Sequence, residues 1–174
     1  MVKPVFSFNV AYTVPVNGPG MSPTLTFEEF WKGLRRGGRN PHEFADYVES
    51  TEIHADKTAT EFKRSLTLAD GAVHSSRGTV LKQDVRIAEG LHVEATTTDS
   101  GAKSTMLVSY GGAPDQGEQD LYLTAMYELR VNGVETGSTE AKAMETNYAQ
   151  LAKGAALTAV ERIRLWKVED RLDS

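Results

Sequence analysis

The stretch that most constrains this chain is its last long apolar pattern. From Thr139 to about Val168 the sequence has helical period and contains no proline, and Gly154 is its only interior glycine. Ser138 is a good N-cap and the acidic Glu140 follows in the first turn. At 1.5 Å per residue this predicts a helix of roughly 45 Å. Met144, Tyr148, Leu151, Ala155 and Ala159 fall on one stripe. Such a stripe must be buried against another element, so the rest of the chain has to supply a large apolar surface.

That surface is built from strands. "VFSFNVAYTVPV" alternates, with Phe6, Phe8, Val10, Tyr12 and Val14 in one row, and it ends near Pro15. "NGPGMSP" is loop chemistry. Thr26 and Glu29 then form a capping box, and Phe27, Phe30, Trp31 and Leu34 follow at helical spacing. "RRGGRNP" stops this helix, and Pro41 is expected to start a second short one, "PHEFADYV". From about Glu49 to Val131, strand-like runs are separated by "DG", "AEG", "DSG" and "GGAPDQGE", turn signals suited to hairpins. With the first strand this makes about seven antiparallel strands. The order is therefore one strand, two short helices, six strands and a long helix. The expected architecture is α+β: a curved sheet wrapped around the C-terminal helix, with a hollow between them and two short helices after the first strand. This is the helix-grip topology.

Composition narrows the function classes. A chain of 174 residues suits one domain, spanning 1–174. The net charge is −5, and the densest basic stretch, Lys32 to Arg39, holds Lys32, Arg35, Arg36 and Arg39. Nucleic acid is not an expected partner. There is no cysteine, which excludes disulfides, thiolate nucleophiles and zinc–thiolate sites. No secretion signal, membrane-length apolar run or glycosylation sequon is present, so a soluble, cytoplasmic protein is expected. GxGxxG, the phosphate loop, GxSxG and HExxH are all missing. His42, His54, His74 and His92 stand singly, and His54 shares an exposed-looking row with Ser50 and Glu52. Neither a metal site nor a cofactor is expected.

Arg64 is the leading candidate for chemistry. It shares a row with Thr60, Phe62, Leu66 and Leu68, and a charge among apolar residues needs a partner or a ligand. Its guanidinium fork suits a carboxylate, enolate or phenolate oxygen; the competing reading is a structural ion pair, or a stem laid on apolar surface with its head in water. Glu128 is the second candidate. It lies in the row Tyr122, Thr124, Met126, opposite the row Leu121, Leu123, Ala125, Tyr127, Leu129. Either row is apolar enough to face inward. An inward Glu128 would have its pKa raised by desolvation and suit proton transfer, whereas an outward one is a surface carboxylate. Tyr148 is the third, a hydroxyl on the helix stripe. Tyr12, Trp31, Phe62, Tyr122, Met126, Met144 and Leu151 are the expected ligand contacts.

"AYTVPVN" followed by "LTFEEFWKGL", with "NPHEFADYVES", "LYLTAMYELR" and "GVETGSTEAKAMETNYAQLAKGA", resembles the AtaL-like family of the START-like, or SRPBCC, superfamily. That superfamily includes birch-pollen-allergen-like proteins and aromatic polyketide cyclases. The resemblance spans nearly the whole chain and implies the helix-grip fold, with "VNGPGMSP" and the short helices on the rim of a cavity for apolar or aromatic small molecules. It implies no particular catalytic residue. Three functions stay open: a cofactor-independent cyclase, isomerase or lyase acting on a polyketide or peptide-derived intermediate; a non-catalytic carrier of an apolar ligand; and an interaction module, such as a homodimer using the second apolar row of the last strand.

Overall fold

The structure, a computed structural model, describes residues 5–112 and 117–173. β1 (Val5–Pro15) leads through a loop into α1 (Phe27–Arg39), then β2 (Val48–Thr58), β3 (Glu61–Leu68), β4 (Val80–Ala88), β5 (His92–Thr97), β6 (Lys103–Tyr110), β7 (Leu121–Asn132) and α2 (Thr139–Val168). The seven strands form one antiparallel sheet in the order β1-β7-β6-β5-β4-β3-β2. Five hairpin connections carry β2 to β7, and β1 closes the far edge by pairing with β7 from Val5↔Asn132 to Pro15↔Tyr122. The sheet curves around α2, as the order of elements predicted.

α2 is unbroken through Gly154. Ser138 Oγ accepts from the Ala141 N–H at 3.1 Å and so fixes its first turn. At α1 both arms of the capping box are made: Thr26 N–H to Glu29 at 2.8 Å and Glu29 N–H to Thr26 at 3.2 Å. The expected second helix is reduced to a single 3-10 turn, Pro41–Glu43. The reason is Phe44. Its ring fills the space above Gly37, where a Cβ would lie 2.0 Å from it, and stacks on Trp166 at 5.3 Å. Holding that ring in the core turns the chain toward β2 before a second helical turn can form.

The sheet's inner row is set by the core. Leu121, Leu123, Ala125 and Leu129 of β7 are buried, with Phe62 and Leu66 on β3, Val85 and Ile87 on β4, and Val93 and Ala95 on β5. α2 contributes Ala152, Ala156, Ala159, Val160, Ile163 and Trp166. Its buried face is therefore rotated from the expected stripe: Tyr148, Leu151 and Ala155 are only half-buried. Small alanines let the helix approach β1 and β7 closely, so the face rich in alanine became the packed one.

Candidate functional site

Polar groups collect at one end of the inner surface. β3 and β4 set Arg64 directly opposite Gln83 in the ladder. Both side chains are buried, at 5% and 8% exposure. Arg64 Nε–H donates to Gln83 Oε1 at 2.9 Å and Nη2–H to the same oxygen at 2.7 Å, while Nη1–H donates to the Gly38 carbonyl. Gly38 lies in the last turn of α1, so the guanidinium sits at the negative end of that helix and satisfies one of its orphan carbonyls. A structural ion pair or a ligand was the expectation for this charge. The structure gives it neutral oxygens instead, and no carboxylate pairs with it among the described residues. One N–H remains on each terminal nitrogen. Burial pulls the guanidinium down to about 9, partly opposed by the Tyr47 hydroxyl nearby, and it stays charged at neutral pH.

Three tyrosines surround this end. Tyr47 lies just before β2, Tyr127 on the inner row of β7 and Tyr148 on α2. The Tyr127 and Tyr148 rings are 6.3 Å apart and tilted by 56°. Tyr47 and Tyr127 share a side-chain hydrogen bond, which favours an ionised Tyr47 and disfavours an ionised Tyr127. Burial is nonetheless the largest influence on all three and holds each above the ordinary 10.0, Tyr127 most of all. They are neutral hydrogen-bonding groups at physiological pH. Tyr127 lies deep in the protein by its electrostatics yet keeps part of its surface accessible to water. His74, from the loop between β3 and β4, stacks on Tyr148 at 6.2 Å and 15° and meets Asn147 Nδ2 through Nε2 at 3.0 Å.

Of the expected site residues, Arg64 and Tyr148 fall in this region. Glu128 does not: it is exposed, and Tyr122 and Met126 share its row on the outer face of β7. Alternation allowed either row to face inward, and the core took the one with no charge in it. Trp31 is 6% exposed and its indole N–H donates to Glu89 at 2.6 Å, so it is committed to packing. Phe62 is buried under the Arg39 guanidinium at 4.6 Å. Met144 packs with Phe6, Val134 and Ala141. Tyr12 lies at the sheet edge beneath Lys153, 5.7 Å from its ring, and Leu151 is half-buried on α2. The loop "VNGPGMSP" is fastened at the other end. Asn17 both donates to and accepts from Leu25 at 2.8 Å, Arg164 reaches the Val16 carbonyl, and Lys167 holds the Thr24 carbonyl at 2.8 Å.

The sequence reading missed Gln83, Tyr47 and Tyr127. Tyr127 was visible in the alternative row of β7. Gln83 needs the β3–β4 register to be seen, and Tyr47 sits in a segment without periodicity.

The architecture is the helix-grip fold. One domain of the di-domain aromatase/cyclase StfQ from the steffimycin biosynthetic pathway superposes with a TM-score of 0.63 at 7% identity, covering 94% of this chain and 51% of that one. This chain thus spans about half of that protein. TTHA0849 from Thermus thermophilus matches with a TM-score of 0.58 at 8% identity, over 90% of this chain and 96% of that one. KanY matches with a TM-score of 0.56 at 13% identity, over 94% and 99%. These likenesses concern fold alone. The family described as acetylaranotin biosynthesis cluster protein L, AtaL, matches residues 10–170, and the chain belongs to it. Acetylaranotin biosynthesis cluster protein L of Aspergillus terreus (strain NIH 2624 / FGSC A1156) is 49% identical over 169 residues, 97% of this chain and 95% of that one. No helix is long and apolar enough to cross a membrane among the described residues.

Proposed function

We propose that this protein encloses a largely apolar natural-product intermediate between the inner sheet and α2 and acts on it as a cofactor-independent cyclase, isomerase or lyase. The observation that carries the reading is Arg64: a buried cation with only neutral partners and N–H groups to spare. A developing enolate or phenolate oxygen would supply the missing negative charge. Tyr47, next to Arg64 and bonded to Tyr127, is placed to exchange a proton with such an oxygen. Tyr148 and Leu151 would contact the apolar body of the ligand, and enclosure would favour a near-attack conformer. The membership in AtaL and the cyclase fold of StfQ support a role in secondary metabolism. The protein is read as one domain working in the cytoplasm without metal or nucleotide.

A specific observation also favours the carrier reading. Arg64 ties α1 to β3 and β4, so its charge serves the fold even with no chemistry. Arg64→Met separates the two. It keeps much of the stem and removes the fork. For the enzyme, turnover of the intermediate that accumulates when the gene is deleted falls about tenfold or more, about 1.4 kcal/mol in barrier. For a carrier, affinity for an anionic ligand falls and affinity for a neutral one does not. A variant that folds and matches the wild type in both turnover and binding overturns the assignment.

A further inference from the structure

The outer face of the sheet carries a second constellation, on the opposite side of β3 from the Arg64 side chain. Glu52 on β2 lies opposite Ser65 on β3, and Ser65 lies opposite Lys82 on β4. Between Ile53↔Arg64 and Ala55↔Lys63 the register shifts, and His54 is the extra residue of that bulge. The bulge brings the imidazole over Ser65: His54 Nε2 is 2.6 Å from Ser65 Oγ, and His54 Nδ1 is 3.6 Å from Glu52 Oε1. An open hollow of about 410 Å³ lies here; His54, Ser65, Lys82 and Thr98 line it, and it also reaches Arg64 and Gln83. Lys63 is spent on Asp84 at 2.6 Å, whereas Lys82 has no ion pair among the described residues.

We propose that Ser65, His54 and Glu52 form an acyl-transfer relay that hydrolyses short-chain acyl esters of phenolic or enolic alcohols. The required roles are present in order: a hydroxyl, a base within hydrogen-bond reach of it, and a carboxylate beside the base's other nitrogen. Lys82, opposite Ser65 in the β3–β4 ladder and lining the same hollow, would supply positive charge to the tetrahedral oxyanion. Ser65 Oγ attacks the acyl carbonyl as its proton passes to His54 Nε2. The intermediate collapses, the ester C–O bond breaks, and the leaving alkoxide takes that proton from the imidazolium. Water then attacks the acyl-serine with His54 as base, which releases the carboxylic acid and restores the hydroxyl. No metal or oxidant enters the balance. The open hollow has no deep wall to hold a long acyl chain, so a short one suits it, and a stabilised leaving group suits a serine set in a strand that is paired on both sides.

The test uses the full chain with 4-nitrophenyl acetate. Nitrophenolate release above the buffer rate is expected, falling roughly tenfold or more in Ser65→Ala and in His54→Gln, and less in Glu52→Gln. A fluorophosphonate probe on the wild-type protein should label Ser65, read by peptide mass spectrometry, so the proposal does not depend on any variant folding. Release that survives Ser65→Ala but not His54→Gln would show a lone imidazole acting directly and overturn the relay. Release no faster than buffer, or a wild-type protein with Ser65 unlabelled, would overturn it as well.

Discussion

The two ends of the inner surface are built by opposite rules. Where the loop after β1 meets the C-terminal half of α2, Val16, Leu25, Phe30, Leu121, Ile163 and Trp166 are almost wholly removed from water, and Arg164 and Lys167 bind that loop to α2. At the other end, Arg64 and Gln83 are buried polar groups, and Tyr47, Tyr127 and Tyr148 are only half-buried. Buried polar surface costs stability unless it is paired. Arg64 is paired there to Gln83 and the Gly38 carbonyl, whereas alanine, leucine and tryptophan fill the first end with no such polar surface to satisfy. The contrast teaches that the packed end only holds the fold, whereas the tyrosine–arginine end adds to its tie between α1, β3 and β4 spare polar groups that a ligand would use.

Stability measurements can break this comparison. The largest effect is expected from Trp166→Ala at the packed end. The indole stacks on Phe44 and lies under the Arg36 guanidinium at 4.4 Å, so truncation leaves a cavity on both sides and should cost about 4 kcal/mol by urea denaturation. Gly37→Ala comes next. Helix propensity favours alanine, but the new methyl would overlap the Phe44 ring, and overpacking of about 2 kcal/mol should win. Asn17→Ala removes the bonds to Leu25 and to the Glu118 carbonyl at 2.8 Å and should cost about 1–2 kcal/mol. Tyr148→Phe, at the other end, should lie within about 0.5 kcal/mol of wild type while weakening ligand binding. A Tyr148→Phe variant as unstable as Asn17→Ala would show that the two ends are not different in kind.

The same asymmetry explains what the sequence revealed. Elements with strong periodicity and local signals were legible: the capping box at Thr26, the Ser138 cap, the unbroken α2, and the hairpins marked by "DG" and "DSG". Arg64 was legible because a charge in an apolar row breaks a rule. Glu128 misled because both rows of β7 satisfy the pattern, and only packing against α2 decides between them. The second helix failed because the aromatic at position 44 answers to Gly37 and Trp166, and no local pattern announces that contact. Gln83, Tyr47 and Tyr127 meet Arg64 or one another only through the register and curvature of the sheet, which no local signal encodes.

The smallest effect is the sharpest probe of the polar end, because its two kinds of group respond to pH with opposite sign. The folded state raises Tyr47, Tyr127 and Tyr148 above the ordinary 10.0, so it keeps protons that the unfolded chain gives up, and stability falls as pH rises past about 10. Arg64 behaves the other way. Its folded pKa is lowered to about 9, so from there up to the ordinary guanidinium range the unfolded chain binds more protons, and stability rises with pH. In the wild type the two partly cancel. Arg64→Met deletes the gain, so its stability, followed by urea denaturation in steps above pH 9, should fall more steeply than that of the wild type. Tyr127→Phe deletes the largest tyrosine penalty and should fall less steeply, while losing about 1 kcal/mol at neutral pH with its bond to Tyr47. Parallel curves for all three proteins would mean that these groups are hydrated like surface side chains, and the contrast between the two ends would dissolve.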